Sequence, residues 1–175
     1  MVFVAAAILL AIERIAYVWV WRHPASFAAI CKRVLSEQSA DPVIALEKLF
    51  DCFKITQILV FLAWCYFHPN PELWSLRQRM VPVGIGVALF VVGQILNLSV
   101  FYRLGTVGVF YGNRFGRDVP WCNEFPFSLM DHPQYVGALL SIWGFFLAAQ
   151  FPNAGWYAIP IVETIYYSVG GWLEQ

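Results

Sequence analysis

Residues Val81–Phe101 read VPVGIGVALFVVGQILNLSVF, a run without one charged side chain. About 20 mostly apolar residues cross roughly 30 Å of hydrocarbon at about 1.5 Å per residue, so this run predicts a membrane-spanning helix. Working outward, the same measure picks out Val2–Trp21 and Leu49–Phe67 before it, and Tyr135–Gln150 and Ala154–Leu173 after it. Composition agrees: the 175 residues are 60% hydrophobic and 13% charged, against about 25% charged in a soluble domain, too little polar surface to face water. The expected fold class is all-α: a polytopic membrane helical bundle of four to five transmembrane helices forming one domain, with a glycine- and aromatic-rich loop near its C-terminal helices.

The breaks between runs carry their own chemistry. Two prolines in HPNPE, 68–72, forbid helix continuation. The polar stretch 23–48 is helix-compatible, with an expected break at 39–42. FPNAG, 151–155, interrupts the C-terminal apolar part, which reads as two helices, the first of them short, forming a hairpin; one tilted helix behind a half-buried one is the competing reading. The N-terminal run lacks a basic leader and is interrupted by Glu13 and Arg14, so it is expected to be a retained membrane segment rather than a signal peptide. Trp19, Trp21 and Arg22 would anchor it at the interface.

Charge placement orients the bundle. Arg22, Lys32, Arg33 and Lys48 lie in the first link and Arg103, Arg114 and Arg117 in the third, against Arg77 and Arg79 in the second. The positive-inside rule makes the side of the first and third links cytoplasmic. Zero net charge removes any global electrostatic case for nucleic acid. Cys31, Cys52, Cys65 and Cys122 show neither CxxC spacing nor clustered histidines, so neither a metal site nor a disulfide framework is expected. The oligomeric state is not legible.

Polar groups inside apolar runs are costly and need partners. For Glu13, Arg14, Lys54 and Glu163, pairing or snorkelling to the interface is the first reading. Gln94 and Asn97 share a helix face at i, i+3 beside Gly93, which suits either a polar pocket or an interhelical hydrogen bond. The segment from Tyr102 to Gln134 has no apolar run; Gly105, Gly108, Gly112 and Gly116 punctuate its aromatics. Glycine lets backbone approach a ligand, and aromatic faces attract cationic sulfonium or ammonium groups.

These motifs, GQILN (93–97), LGTVGVFYGNRFG (104–116), VPWCNEFPF (119–127) and HPQYVG (132–137), together resemble the phospholipid methyltransferases, above all the plant and fungal type acting on phosphatidyl-N-methylethanolamine. The resemblance covers about half the chain and continues weakly to WLEQ, 172–175. It implies an enzyme of the endoplasmic reticulum membrane, multi-pass, its active site facing the cytosol. Such an enzyme uses S-adenosylmethionine to methylate the amino head group of mono- and dimethylated phosphatidylethanolamine, yielding phosphatidylcholine. Family members hold the donor with a GxG in the third segment and an acidic pair after the last. Here Gly93 matches the second glycine, Val91 replaces the first, Glu174 matches the first acid and Gln175 replaces the second. The GxG at Gly84–Gly86 lies at the wrong offset.

The residues expected to bind the donor are Gly93, Gln94, Gly112, His132, Tyr135, Gly137 and Glu174. His132, Tyr135 and Glu124 are the catalytic candidates, with Asp131 a further proton acceptor; the substrate amine must lose its proton before it attacks. Arg114 and Arg117 suit the lipid phosphate through bidentate pairing, or equally an anionic membrane surface. HPQYVG also resembles the motif of the isoprenylcysteine carboxyl methyltransferases, one rival; a non-catalytic scaffold that keeps the fold is the other.

Overall fold

Helix α1 (Val2–Arg22) ends at His23, and the short α2 (Pro24–Val34) follows at once. Three longer passages follow: α3 (Pro42–Phe67), α4 (Leu76–Val109) and the hairpin of α5 (Pro133–Gln150) with α6 (Ala158–Leu173). This computed structural model describes residues 1–35, 40–71, 76–120 and 122–174, with only the backbone of 76–79. Trp121 and Gln175, both quoted above, lie outside the described residues, as does Ser39 at the expected break. Every regular element among the described residues is helical.

Several boundaries differ from expectation for local reasons. α3 starts at Pro42 rather than Leu49, because the Asp41 carboxylate accepts from the Val43 amide at 2.9 Å and Pro42 occupies the first turn; a capping acid followed by proline is a strong helix start. α4 runs on through Tyr102 to Val109, so the loop begins later than its glycines suggest; within it only Gly105 leaves helical geometry, at φ 60° and ψ 179°. That region is essentially restricted to glycine, and it kinks the chain, setting the last turn, 106–109, off from the rest of α4. α6 starts at Ala158 rather than Ala154, after a turn.

Ile8, Ile12 and Ile15 on α1, Ile55 and Leu59 on α3, and Ile85, Val92 and Ile95 on α4 are exposed, whereas Glu13, Arg14 and Glu163 are only 4%, 8% and 1% exposed. Soluble domains show the opposite arrangement; an apolar exterior of this extent needs lipid around it. Among the described residues three helices, α1, α3 and α4, are by length and composition apolar enough to cross a membrane, as a polytopic helical bundle requires. α5 and α6 have 18 and 16 residues, about 27 and 24 Å, and pack as a shorter antiparallel pair.

α4 and α5 approach most closely, through glycines placed in antiparallel register. A Cβ on Gly86 would lie 2.6 Å from the Gly144 carbonyl oxygen, and one on Gly137 would lie 2.7 Å from that of Gly93. Small residues at such crossings let helix backbones meet in lipid. The Gly84–Gly86 pair thus splits: Gly84 faces open space and Gly86 packs.

Two sets of polar ties fix the bundle ends. At one end Arg22 donates to the Leu173 carbonyl at 2.8 and 3.1 Å, Arg114 donates to that of Trp21 at 2.8 and 3.2 Å, and Arg117 pairs with Asp41 at 2.5 Å. At the other, Asn70 donates to the carbonyls of Ala149 and Phe151 at 3.3 and 3.2 Å, and Asn153 donates to that of His68 at 3.2 Å. The C-terminal part is therefore a hairpin, and it returns Glu174 to the end where the long loop lies.

Candidate functional site

The loop folds over that end of the bundle. Left-handed Tyr111, φ 59° and ψ 30°, and Gly116, φ 75°, bracket a short 3-10 turn at Gly112–Phe115. A non-glycine residue in that conformation costs on the order of 1–3 kcal/mol, so something must hold it. Tyr111 donates its hydroxyl to Glu174 Oε1 at 3.0 Å and packs edge-on against Trp21 and Tyr17, centroids 5.1 and 6.1 Å away.

Tyr135 reaches the same carboxylate from α5. Pro133 starts that helix, so HPQYVG forms its first turn and puts His132 and Tyr135 on one face, their rings stacked at 5.8 Å. The Tyr135 hydroxyl donates to Glu174 Oε2 at 2.5 Å, and its ring lies over Gly171, where a Cβ would sit 3.3 Å from it. One carboxylate thus joins the loop, α5 and the end of α6.

Below this junction opens a cavity of about 1070 Å³, at the upper end of small-molecule sites. Gln94, Asn97, Asp131, His132, Tyr135 and Glu174 line it. The other site candidates named from the sequence lie elsewhere. Glu124 is at the surface, 71% exposed and paired with Arg103 at 2.5 Å, and is not among the lining residues. Gly93 and Gly137 face each other across the α4–α5 crossing, and Gly112 backs onto Val107. Arg114 and Arg117 tie the loop to α1 and Asp41, so their guanidiniums serve the closure of this end; none of these five lines the cavity. Val91 is 49% exposed. Gln94 donates to Ser141 at 2.8 Å, so the interhelical hydrogen bond and the pocket wall are one feature.

The deeper wall was not legible as part of a site. Arg14 is held by Glu13, which also binds Lys54 at 2.9 Å; Lys54 donates to Gln57 at 3.1 Å, and Gln57 donates to Glu163 at 2.7 Å. Pairing was therefore the right reading of these charges. Yet Arg14, Lys54 and Gln57 also line the cavity, along with Tyr17 and Tyr167. The Arg14 guanidinium lies 3.9 Å from the Tyr167 ring centroid, 5.2 Å from Tyr17 and 5.6 Å from Tyr135. The signal in the sequence was helical spacing: Arg14 with Tyr17 and Lys54 with Gln57 at i, i+3, Glu163 with Tyr167 at i, i+4. Tyr111 lies within the 104–116 motif, where nothing in its spacing marks it as a partner of Glu174.

A family model described as phospholipid methyltransferase matches residues 81–175, the half of the chain holding α4, the loop, α5, α6 and Glu174. The chain belongs to the phospholipid methyltransferase family. It is 31% identical over 126 residues to phosphatidyl-N-methylethanolamine N-methyltransferase of Arabidopsis thaliana, covering 72% of this chain and 67% of that relative. The Saccharomyces cerevisiae protein of the same name is 37% identical over 91 residues, covering 51% of this chain and 44% of the relative. Phosphatidylethanolamine N-methyltransferase of Rattus norvegicus is 35% identical over 141 residues, covering 77% and 67%. The chain thus spans about two thirds of the plant and rat relatives and under half of the yeast one. No solved structure matches it. As a phospholipid methyltransferase it is a membrane enzyme, and its junction at Glu174 falls inside the matched region, while Arg14 and Lys54 fall outside it.

Proposed function

We propose that this chain is an S-adenosylmethionine-dependent N-methyltransferase of the endoplasmic reticulum membrane. It methylates phosphatidyl-N-methylethanolamine and phosphatidyl-N,N-dimethylethanolamine to phosphatidylcholine from the cytosolic side. The observation that carries the reading is the Glu174 carboxylate between the Tyr111 and Tyr135 hydroxyls, 3.0 and 2.5 Å away, at the head of a cavity that continues between membrane helices. The names of the plant and yeast relatives support the substrate class.

The residues present fit such a donor. Asn97 Oδ1 is buried without a hydrogen-bond partner on a residue that lines the cavity, and a buried polar atom of that kind calls for a ligand's polar group. Bound there, the donor supplies an electrophilic methyl group on a sulfonium. Glu174 accepts hydrogen bonds from its ammonium, and Tyr111 and Tyr135 hold the carboxylate in one orientation.

On the lipid side the amine attacks through its lone pair, so it must first lose a proton. His132 and Asp131, both lining the cavity and both exposed, are placed to take that proton and pass it to water. Orientation and proximity then lower the barrier by up to about 7–11 kcal/mol.

Purified protein in liposomes should transfer labelled methyl groups to the monomethylated lipid and leave a prenylcysteine analogue unlabelled. Transfer to the prenylcysteine alone, or no transfer together with no binding of S-adenosylhomocysteine, would refute the reading.

A further inference from the structure

Resting on the phospholipid-methylation reading, we infer a second recognition site in the cavity. Arg14, Lys54 and Tyr17, on α1 and α3, receive the phosphodiester of the lipid head group.

The cavity is electrically divided. Its lining acids, Asp131 and Glu174, sit at the loop end, whereas Arg14 and Lys54 sit deeper; Glu13, which pairs with both cations, is not a lining residue. Tyr135 separates the levels, its hydroxyl on Glu174 and its ring 5.6 Å from the Arg14 guanidinium.

The spare hydrogen-bonding capacity of the deeper wall is donor capacity. Arg14 Nε and the Tyr17 hydroxyl are buried without a partner, on residues 8% and 6% exposed. A buried guanidinium nitrogen and a phenol left unpaired side by side suit an acceptor-rich anion, and a phosphodiester is the anion a phospholipid brings. Lys54, its side chain 27% exposed and its ammonium held by Glu13, Gln57 and Tyr167, adds a second positive charge beside them.

Depth agrees with the shape of the molecule. Tyr167, which meets both Arg14 and Lys54, lies seven residues before Glu174 along one helix, about 10 Å below it. Phe61, which stacks on Phe145, lies seven residues beyond Lys54, about another 10 Å down. From the loop end inward the cavity offers carboxylates, then cations, then aromatic and aliphatic walls. A phospholipid in a bilayer presents amine, phosphate and chain in that order. Ile58, Leu62 and Leu98 line the cavity and are also 55%, 54% and 67% exposed, so its deep part is open sideways between α3 and α4, where an acyl chain can pass to the bilayer. Arg114 and Arg117, the cations that the sequence suggested for phosphate, are engaged elsewhere.

The test compares two soluble competitors of methyl transfer by the full-length protein in liposomes: glycerophospho-N-methylethanolamine, which carries the phosphodiester, and N-methylethanolamine, which does not. The phosphorylated probe should inhibit roughly tenfold or more strongly, the scale of a charged hydrogen bond. Lys54→Gln should abolish that preference and Lys54→Arg should keep it, with S-adenosylhomocysteine affinity unchanged in both. Equal inhibition by the two probes in the unaltered protein, or a preference that survives Lys54→Gln, would overturn the inference; the first outcome needs no variant to fold. Failure of the enzyme reading itself is told apart by absent methyl transfer and absent S-adenosylhomocysteine binding in the unaltered protein.

Discussion

Glu174 is held by two tyrosines from different parts of the chain, and the consequences of altering either differ in kind. Tyr135→Phe keeps the ring on Gly171 but removes one donor from the carboxylate. A hydrogen bond to a charged group is worth about 1.5–3 kcal/mol, so the methyl donor's KM should rise roughly tenfold or more. Glu124→Gln should leave turnover within about twofold, because an exposed ion pair contributes at most about 1 kcal/mol; steady-state rates on the monomethylated lipid check both. Behind the cavity wall, Glu13 compensates Arg14 and Lys54. Its replacement by Ala leaves buried charge unpaired, which costs roughly 3–5 kcal/mol and should appear as a large drop in thermal stability in detergent. Among the site residues, Glu174, Tyr135 and His132 were legible because they sit in short polar islands beside apolar runs. Arg14 and Lys54 were not, since a charge in an apolar run reads as a problem to be neutralised and only the folded chain shows which side of it faces a cavity.

At the scale of elements, the α4–α5 crossing sets the shape of the site. Gly93 and Gly137 matter for how closely two backbones approach, so Gly93→Leu should destabilise the protein by about 1–3 kcal/mol or more through overpacking. Gly84→Ala, with nothing within 4 Å of the added Cβ, should leave the melting temperature unchanged; detergent thermal unfolding separates the two. Gly105 belongs to the same class, since its φ of 60° and ψ of 179° are closed to alanine at a cost of about 1–3 kcal/mol. The long apolar runs predicted α1, α3 and α4 because length and hydropathy are local quantities. The ends were missed where a cap decided them, as at Asp41, or where glycines that read as loop stayed helical, as at Gly108. Hydropathy alone left the α5–α6 hairpin undecided, and Asn70 and Asn153, which latch its far turn to the α3–α4 link, gave no signal by spacing.

For the whole molecule, the bundle brings the loop and Glu174 to one side and the α5–α6 turn to the other. Cysteines introduced at Asn113 and Leu173 should therefore react with a membrane-impermeant thiol reagent from the same side of sealed vesicles, and a cysteine at Asn153 from the opposite side. If the loop and Glu174 form one chamber for a methyl donor, binding must depend on the Glu174 carboxylate. Calorimetry with S-adenosylhomocysteine on the unaltered protein and on Glu174→Gln tests this most directly. A charged hydrogen bond is worth about 1.5–3 kcal/mol, so the variant should bind roughly 10- to 150-fold more weakly while melting at the same temperature without ligand. Equal affinity in the two proteins, or no binding to the unaltered one, would contradict the account.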